Sequence, residues 1–178
     1  AGMKTKNSKL DDLDNLLKVY TNSMNFQARK LTDLEDRGRR SNLIVFGIPE
    51  QPEETESDLK KKVVSETFHS KLGVKCTSVA RIHRLGRSGS NRPIILYLQD
   101  FTEKLAVLKK ASNLKGTNIF VQNDYSKQTL AKRKLLWESA KTDKEQGKKA
   151  FLVHDKLRVG DDLFIWNDVT NKRQLIGS

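Results

Sequence analysis

Sulfur chemistry is nearly absent from this chain, since Cys76 is its one cysteine. No intramolecular disulfide can form, which excludes the stapled secreted scaffolds and fits a reducing, intracellular setting. Long apolar runs are missing too. No segment approaches the roughly 20 residues of a membrane-spanning helix, and the N-terminus has no signal-peptide core. His69, His83 and His154 lie far apart in the chain, without the spacing of metal ligands or a catalytic centre. The glycines of "GRSGSN" are not followed by the Lys-Ser/Thr of a phosphate-binding loop. These absences point to a protein that is not an enzyme and needs neither metal nor cofactor. The most informative absence is a charge: no Asp or Glu occurs between Glu66 and Asp100.

What is present is basic and polar. The 178 residues carry a net charge of +12, with 31% charged and 36% hydrophobic residues. Mean hydropathy is −0.65 and the isoelectric point is about 9.8. A balance of that sign favours a polyanionic partner, nucleic acid before membrane. So polar a chain also implies that part of it builds no core of its own. The opening Ala-Gly-Met reads as a remnant ahead of an internal methionine, and the chain as a fragment.

Residues 1–38 read as an oligomerising helix. With Leu10 as a, the a and d positions are Leu10, Leu13, Leu17, Tyr20, Met24, Gln27, Leu31 and Leu34. A sustained 3.5-residue period of this kind specifies a parallel, left-handed coiled coil. The rival register through Leu13, Leu16, Tyr20, Ser23, Gln27 and Lys30 would bury three polar residues. No a position is β-branched, which removes the usual dimer preference. Lys30 (g) and Glu35 (e) flank the seam, and "KLTDLE" resembles the Arg-apolar-x-x-apolar-Glu pattern of trimeric coiled coils, with Lys for Arg. A homotrimer is expected. Gly38 is expected to end the helix, with Arg39 and Arg40 beyond it.

Residues 39–123 change grammar. "LIVFGI" reads as a strand stopped by Pro49, followed by an acidic loop. A helix capped by Ser57 should run to about Leu72, with Leu59, Val63, Val64, Thr67 and Phe68 inward. "SVARIHRL" and "RPIILYLQ" read as strands across an Arg/Gly/Ser loop, and "FTEKLAVLKKASNL" as a helix with Leu105, Leu108 and Ala111 inward. "NIFVQ" closes the series. The order β-α-β-β-α-β in some eighty residues predicts a ferredoxin-like domain of the kind RNA recognition modules use. Residues 124–178 should add a small α+β domain, a helix capped by Ser126 and a hairpin turning at Gly160-Asp161. The fold class expected for the whole is α+β.

Charge follows these parts unevenly: +1 over 1–38, +7 over 39–123 and +4 over 124–178. Alternation turns Ile44, Phe46, Ile95 and Tyr97 outward on the central strands. An RNA recognition sheet sets two or three stacking aromatics there; Phe46 and Tyr97 are the partial substitutes available. Affinity should therefore lean on cations. In the acid-free "RIHRLGRSGSNRP", Arg81, Arg84, Arg87 and Arg92 are expected to engage phosphates, aided by Arg39, Arg40, Lys132, Arg133 and Lys156.

The coil entering "RRSNLIVFGIPE" (39–50), then "RIHRLGRSGSNRPIILYLQD" (81–100), then "NDYSKQTLAKRKLLWESAK" (123–141), resembles the first-open-reading-frame, transposase-22-like proteins of LINE-type retrotransposons. The resemblance implies a homotrimer that binds single-stranded RNA and DNA between its RNA-recognition-like and C-terminal domains. It also implies a nucleic-acid chaperone that packages the element's RNA in cytoplasmic ribonucleoprotein particles, with the nucleus as a second compartment. By that resemblance Arg40 falls where the family keeps an arginine at the coiled-coil exit, Arg81, Arg84 and Arg92 fall on the basic second and third strands, and Arg133 matches an arginine that family members use for RNA on the C-terminal helix. The rival reading is a coiled-coil scaffold whose central domain binds protein.

Overall fold

The computed structural model describes the backbone of residues 2–87 and 89–177 and the side chains from residue 6 onward; Ala1 of the expected remnant, the side chain of Met3, and Ser88 of the arginine loop lie outside it. The chain is mixed α+β, with a long N-terminal helix followed by two antiparallel sheets. It divides into two compact units, one formed by 38–125 and the other by 1–37 together with 126–178.

Helix α1 runs from Gly2 to Arg39. It does not stop at Gly38, as expected: that glycine stays helical and the chain turns only after Arg39. Leu10, Leu13, Leu17, Tyr20, Met24, Leu31 and Leu34 are all between 62% and 67% exposed. Gln27, Lys30 and Glu35 are exposed as well, with the Lys30 ammonium 5.8 Å from the Phe26 ring centroid. Such a row of apolar side chains finds no burial within its own chain. The face of α1 on the other side, bearing Thr32 and Asp36, meets the C-terminal segment. Asp36 is buried there and accepts from the Ser126 amide (2.8 Å) and the Thr129 hydroxyl (2.5 Å).

The 38–125 unit is a four-stranded sheet backed by helices. Its strands are β1 (Asn42–Phe46), β2 (Val79–Arg84), β3 (Ile94–Leu98) and β4 (Phe120–Asn123), in the order β2-β3-β1-β4 with antiparallel neighbours. Between β1 and β2 lie α2 (Glu56–Lys60), a π-helical stretch Lys61–His69 and α3 (Ser70–Leu72), continuous with one another. Thr55, not Ser57, caps this helix: its hydroxyl accepts from the Asp58 amide while the Asp58 carboxylate accepts from the Thr55 amide, a reciprocal box. Helix α4 (Phe101–Lys110) starts at Asp100, whose carboxylate accepts from the Thr102 amide. Leu43, Val45, Ile94, Leu96 and Leu98 face these helices and pack on Val63, Phe68 and Val107. Leu105, expected inward, is half exposed; Lys104 and Val107 occupy the buried side of α4 instead. One glycine is obligatory: at Gly47 (φ +84°) an added Cβ would sit 1.8 Å from the Asn118 carbonyl oxygen.

The C-terminal segment is richer than a helix and a hairpin. Helix α5 (Lys127–Ser139) is capped by Ser126, as expected, but breaks at buried Ala140 before α6 (Lys141–Glu145). Four strands follow: β5 (Ala150–Val153), β6 (Lys156–Val159), β7 (Asp162–Asn167) and β8 (Lys172–Gly177), each antiparallel to the next. The single strand expected over "AFLVHDKLRV" is two, because His154 takes φ +52° and reverses the chain. A second reversal at Asn171 (φ +50°) adds β8. Leu152, Leu157, Val159, Phe164 and Trp166 pack on Leu136 and Ala140 of the helices. Arg173 pins the edge strand, bonding the Asp143 carboxylate at 2.6 Å and lying over the Phe164 ring.

Candidate functional site

The face of the 38–125 sheet away from its helices is open, and strand register sets its rows. Arg81 pairs with Tyr97 and Tyr97 with Asn42; His83 aligns with Ile95, Ile44 and Gln122; Phe46 stands beside Phe120. The Arg81 guanidinium lies over the Tyr97 ring, 5.3 Å from its centroid. The rings of Phe46 and Phe120 are stacked, with centroids 4.6 Å apart and planes within 5°. Phe120 is 52% exposed, so one face of that pair is available to a further planar group. Among the described residues, none of the side chains in these rows is acidic. Phe46 and Tyr97 thus sit where alternation placed them. Phe120 is a site residue that the sequence reading did not single out; the period-2 pattern of "IFVQ" beside Phe46 is the signal that would find it.

The arginines of the acid-free tract separate into two kinds. Arg81 and Arg87 are exposed. Arg84 is not: its side chain is 5% exposed. Its Nε and Nη2 clamp the Glu54 carboxylate at 2.8 and 3.0 Å. The remaining donors go to the carbonyls of Ile48 (2.8 Å), Arg92 (2.7 Å) and Pro49 (3.0 Å). All five guanidinium N–H groups are thereby committed inside the protein. Arg92 holds Glu50 through Nε and Nη2 and donates Nη1 to the Gly86 carbonyl at 2.8 Å. The expectation that Arg84 and Arg92 hold phosphate is therefore corrected. Their tract lacks acids, but the acidic loop 50–56 reaches across to supply them. Hydrogen bonds from Arg84, outweighing the cost of burial and joined by those from Lys62, hold the Glu54 carboxyl below its ordinary range. Hydrogen bonds from Arg92 do the same for Glu50. Both acids stay ionised and keep their partners.

At the beginning of the sheet, Arg39 bonds both Asp124 oxygens at 3.2 Å, and the Asn42 amide adds a third bond at 3.0 Å. Exposed Arg40 lies over the Phe101 ring at 4.6 Å. Beneath them Lys104 is buried and donates to the Arg40 carbonyl. Burial pushes its ammonium down to about 8 despite nearby Asp124. Arg39 thus serves an internal pair, while Arg40 remains outward.

In the other unit, Lys132 is partly exposed and 3.8 Å from the Asp168 carboxylate. Arg133 donates to the His154 carbonyl, which fastens α5 to the β5–β6 turn. Lys156 lies 3.7 Å from Asp155 with both side chains well exposed, a pairing that salt screens readily. Burial alone would raise the Asp36 carboxyl, but bonds from Thr129 and Ser126 outweigh it and hold the group low. His154 Nε2 stands 3.6 Å from the same carboxylate. Among the described residues no cluster of three or more His, Cys, Asp or Glu is arranged to hold a metal, and no helix is long and apolar enough to cross a membrane. No protein-family model and no curated protein matches this chain.

Proposed function

We propose that this protein is a homotrimeric binder of single-stranded RNA and DNA, acting without catalysis as a nucleic-acid chaperone of a LINE-type retrotransposon. The observation that carries the reading is the open face of the 38–125 sheet. It combines a stacked aromatic pair, exposed at Phe120, with Arg81 over Tyr97, and its rows offer no acid among the described residues. Stacking on bases and charge on phosphates are the two elements of sequence-tolerant single-strand recognition. The β-α-β-β-α-β order with strands ordered β2-β3-β1-β4 supports an RNA-recognition-like domain, since β1 and β3 are then central on the binding face. The exposed seam of α1 supports a three-stranded coil. Tethering three modest sites raises avidity through effective concentration. Contacts made mostly to phosphates exchange readily, which suits melting and annealing. The resemblance in domain order supports a role in ribonucleoprotein particles.

The test is a salt-resolved titration of a labelled, unstructured RNA with sedimentation equilibrium on the same sample. A trimer whose log K falls linearly with log[salt] is expected. A monomer, or retention of RNA that ignores salt, would overturn the reading.

A further inference from the structure

The C-terminal sheet has two faces, and the helices cover only one. Strand parity assigns Ala150, Leu152, Leu157, Val159, Phe164 and Trp166 to the covered face. The opposite face therefore carries Phe151 and Val153 on β5, Lys156 and Arg158 on β6, and Leu163 and Ile165 on β7. Register aligns them in two rows, Phe151–Arg158–Leu163 and Val153–Lys156–Ile165, the second extended by Gln174 of β8. Phe151 is 49% and Val153 50% exposed. Arg158 donates to the Asp161 carbonyl at 3.2 Å and makes no ion pair among the described residues. No position in either row is acidic.

A face that is apolar and aromatic, with two cations in its rows and one partly exposed acid beside them (Asp155, 3.7 Å from Lys156), calls for a partner with both negative charge and planar apolar groups. We infer that this outer face of β5, β6 and β7 is a second single-strand-binding surface, with the nucleic-acid backbone running along β6 and bases laid on Phe151. The inference rests on the RNA-binding reading and deepens it by naming where the C-terminal segment makes contact. The order of side chains decides against an anionic membrane. A surface that inserts into lipid has its apolar groups at the centre and its cations at the rim. Here the cations occupy the central strand and the apolar groups flank it. Lys156 and Arg158 project from the same side of β6, roughly 6.7 Å apart by the strand rise, so one extended strand can satisfy both with successive phosphates. Phe151 is the neighbour of Arg158 across β5–β6, within reach of a base attached to that backbone. Of the two β6 cations, Arg158 is the more available, since Lys156 has Asp155 beside it.

The test uses the full chain and a labelled oligouridine, read by anisotropy across salt and by photo-crosslink mapping. Phe151→Leu keeps the apolar area and removes the ring; it is expected to weaken binding about fivefold or more. Phe151→Trp is expected to retain affinity. Arg158→Gln should lower affinity and flatten the log–log salt slope by about 0.7 for each phosphate no longer neutralised. Because these residues lie on the uncovered face, thermal unfolding should be unmoved in all three. Normal binding by the intact chain, with affinity, slope and crosslinks unchanged in Phe151→Leu and Arg158→Gln, overturns the second surface and leaves the trimeric RNA binder standing. An intact chain that does not bind RNA overturns both. Loss of retention on phosphatidylserine vesicles in Arg158→Gln, with RNA binding unmoved, overturns it in favour of a lipid surface.

Discussion

Arg81 and Arg84 stand three residues apart on the same strand, and removing them should have opposite consequences. Arg84→Ala deletes a guanidinium that spends its donors on the Glu54 carboxylate and the carbonyls of Ile48, Pro49 and Arg92. It leaves Glu54, whose side chain is only 6% exposed, short of its main partner. Breaking a buried pair from one side costs about 3–5 kcal/mol. Lys62 still bonds Glu54 at 2.6 Å, so the lower end applies. For a unit of this size, about 3 kcal/mol corresponds to a fall in Tm of roughly 12–24 °C. Scanning calorimetry on the full chain reads that shift, and RNA anisotropy at low temperature, where the fold persists, should find affinity little changed. Arg81→Ala should do the reverse: Tm within a degree or two, affinity reduced, and the salt slope flattened by about 0.7. The pH dependence has the sign of a depressed carboxyl. Stability from Glu54 is complete above its unfolded value of 4.5 and is lost as pH falls through the lower folded value. Arg84→Ala should therefore shrink the acid-induced loss. An unchanged Tm together with weakened, salt-flattened RNA binding in Arg84→Ala would refute the division of labour between these two arginines.

Replacing Leu17 and Leu31 together with Asp puts charges in the proposed seam; sedimentation should shift from trimer to monomer while the two sheets keep their circular dichroism. Phe120→Ala removes the exposed ring of the stacked pair and should weaken RNA binding about fivefold or more, at the scale of one base stack, with the salt slope unchanged. Lys104 is charged in the unfolded chain up to its ordinary 10.5 but only to about 8 when folded. Stability of the 38–125 unit should thus rise between those values, by at most about 1.4 kcal/mol per pH unit, and Lys104→Met should abolish that rise in urea titrations.

The elements most legible in the chain are those with an unbroken period. Alternation in "LIVFGI" and "PIILYL" correctly assigns Leu43, Val45, Ile94, Leu96 and Leu98 to the core and Phe46 and Tyr97 to the open side. The 3.5-residue pattern falls on a helix exposed along most of its length, with Leu16, Val19 and Phe26 outside the a and d positions exposed as well. What is not legible depends on partners distant in the chain. The environment of Arg84 is decided by Glu54, 30 residues earlier, and that of Arg92 by Glu50, 42 residues earlier. Local composition therefore describes a free basic tract where two of its arginines are paired with acids of the same unit. The turn at His154 and the strand β8 are hidden for another reason. Non-glycine residues hold the positive φ values at both reversals, so the usual Gly-based turn signal is absent. Leu105 shows a third limit, because a lysine that reaches a backbone carbonyl competes successfully with a leucine for the inner side of α4.

The bond between the Thr129 hydroxyl and Asp36 joins groups 93 residues apart, and the whole 38–125 unit is strung between them. During synthesis at about 5–20 residues per second, the carboxylate of Asp36 therefore waits some 5–20 s for its partners. The proposed seam of α1 is complete from the moment residue 34 leaves the ribosome, and the 38–125 sheet closes from contiguous chain in between. Association of α1, as proposed above, would thus have a head start over C-terminal closure. Neighbouring nascent chains on one message would be the first copies that α1 meets.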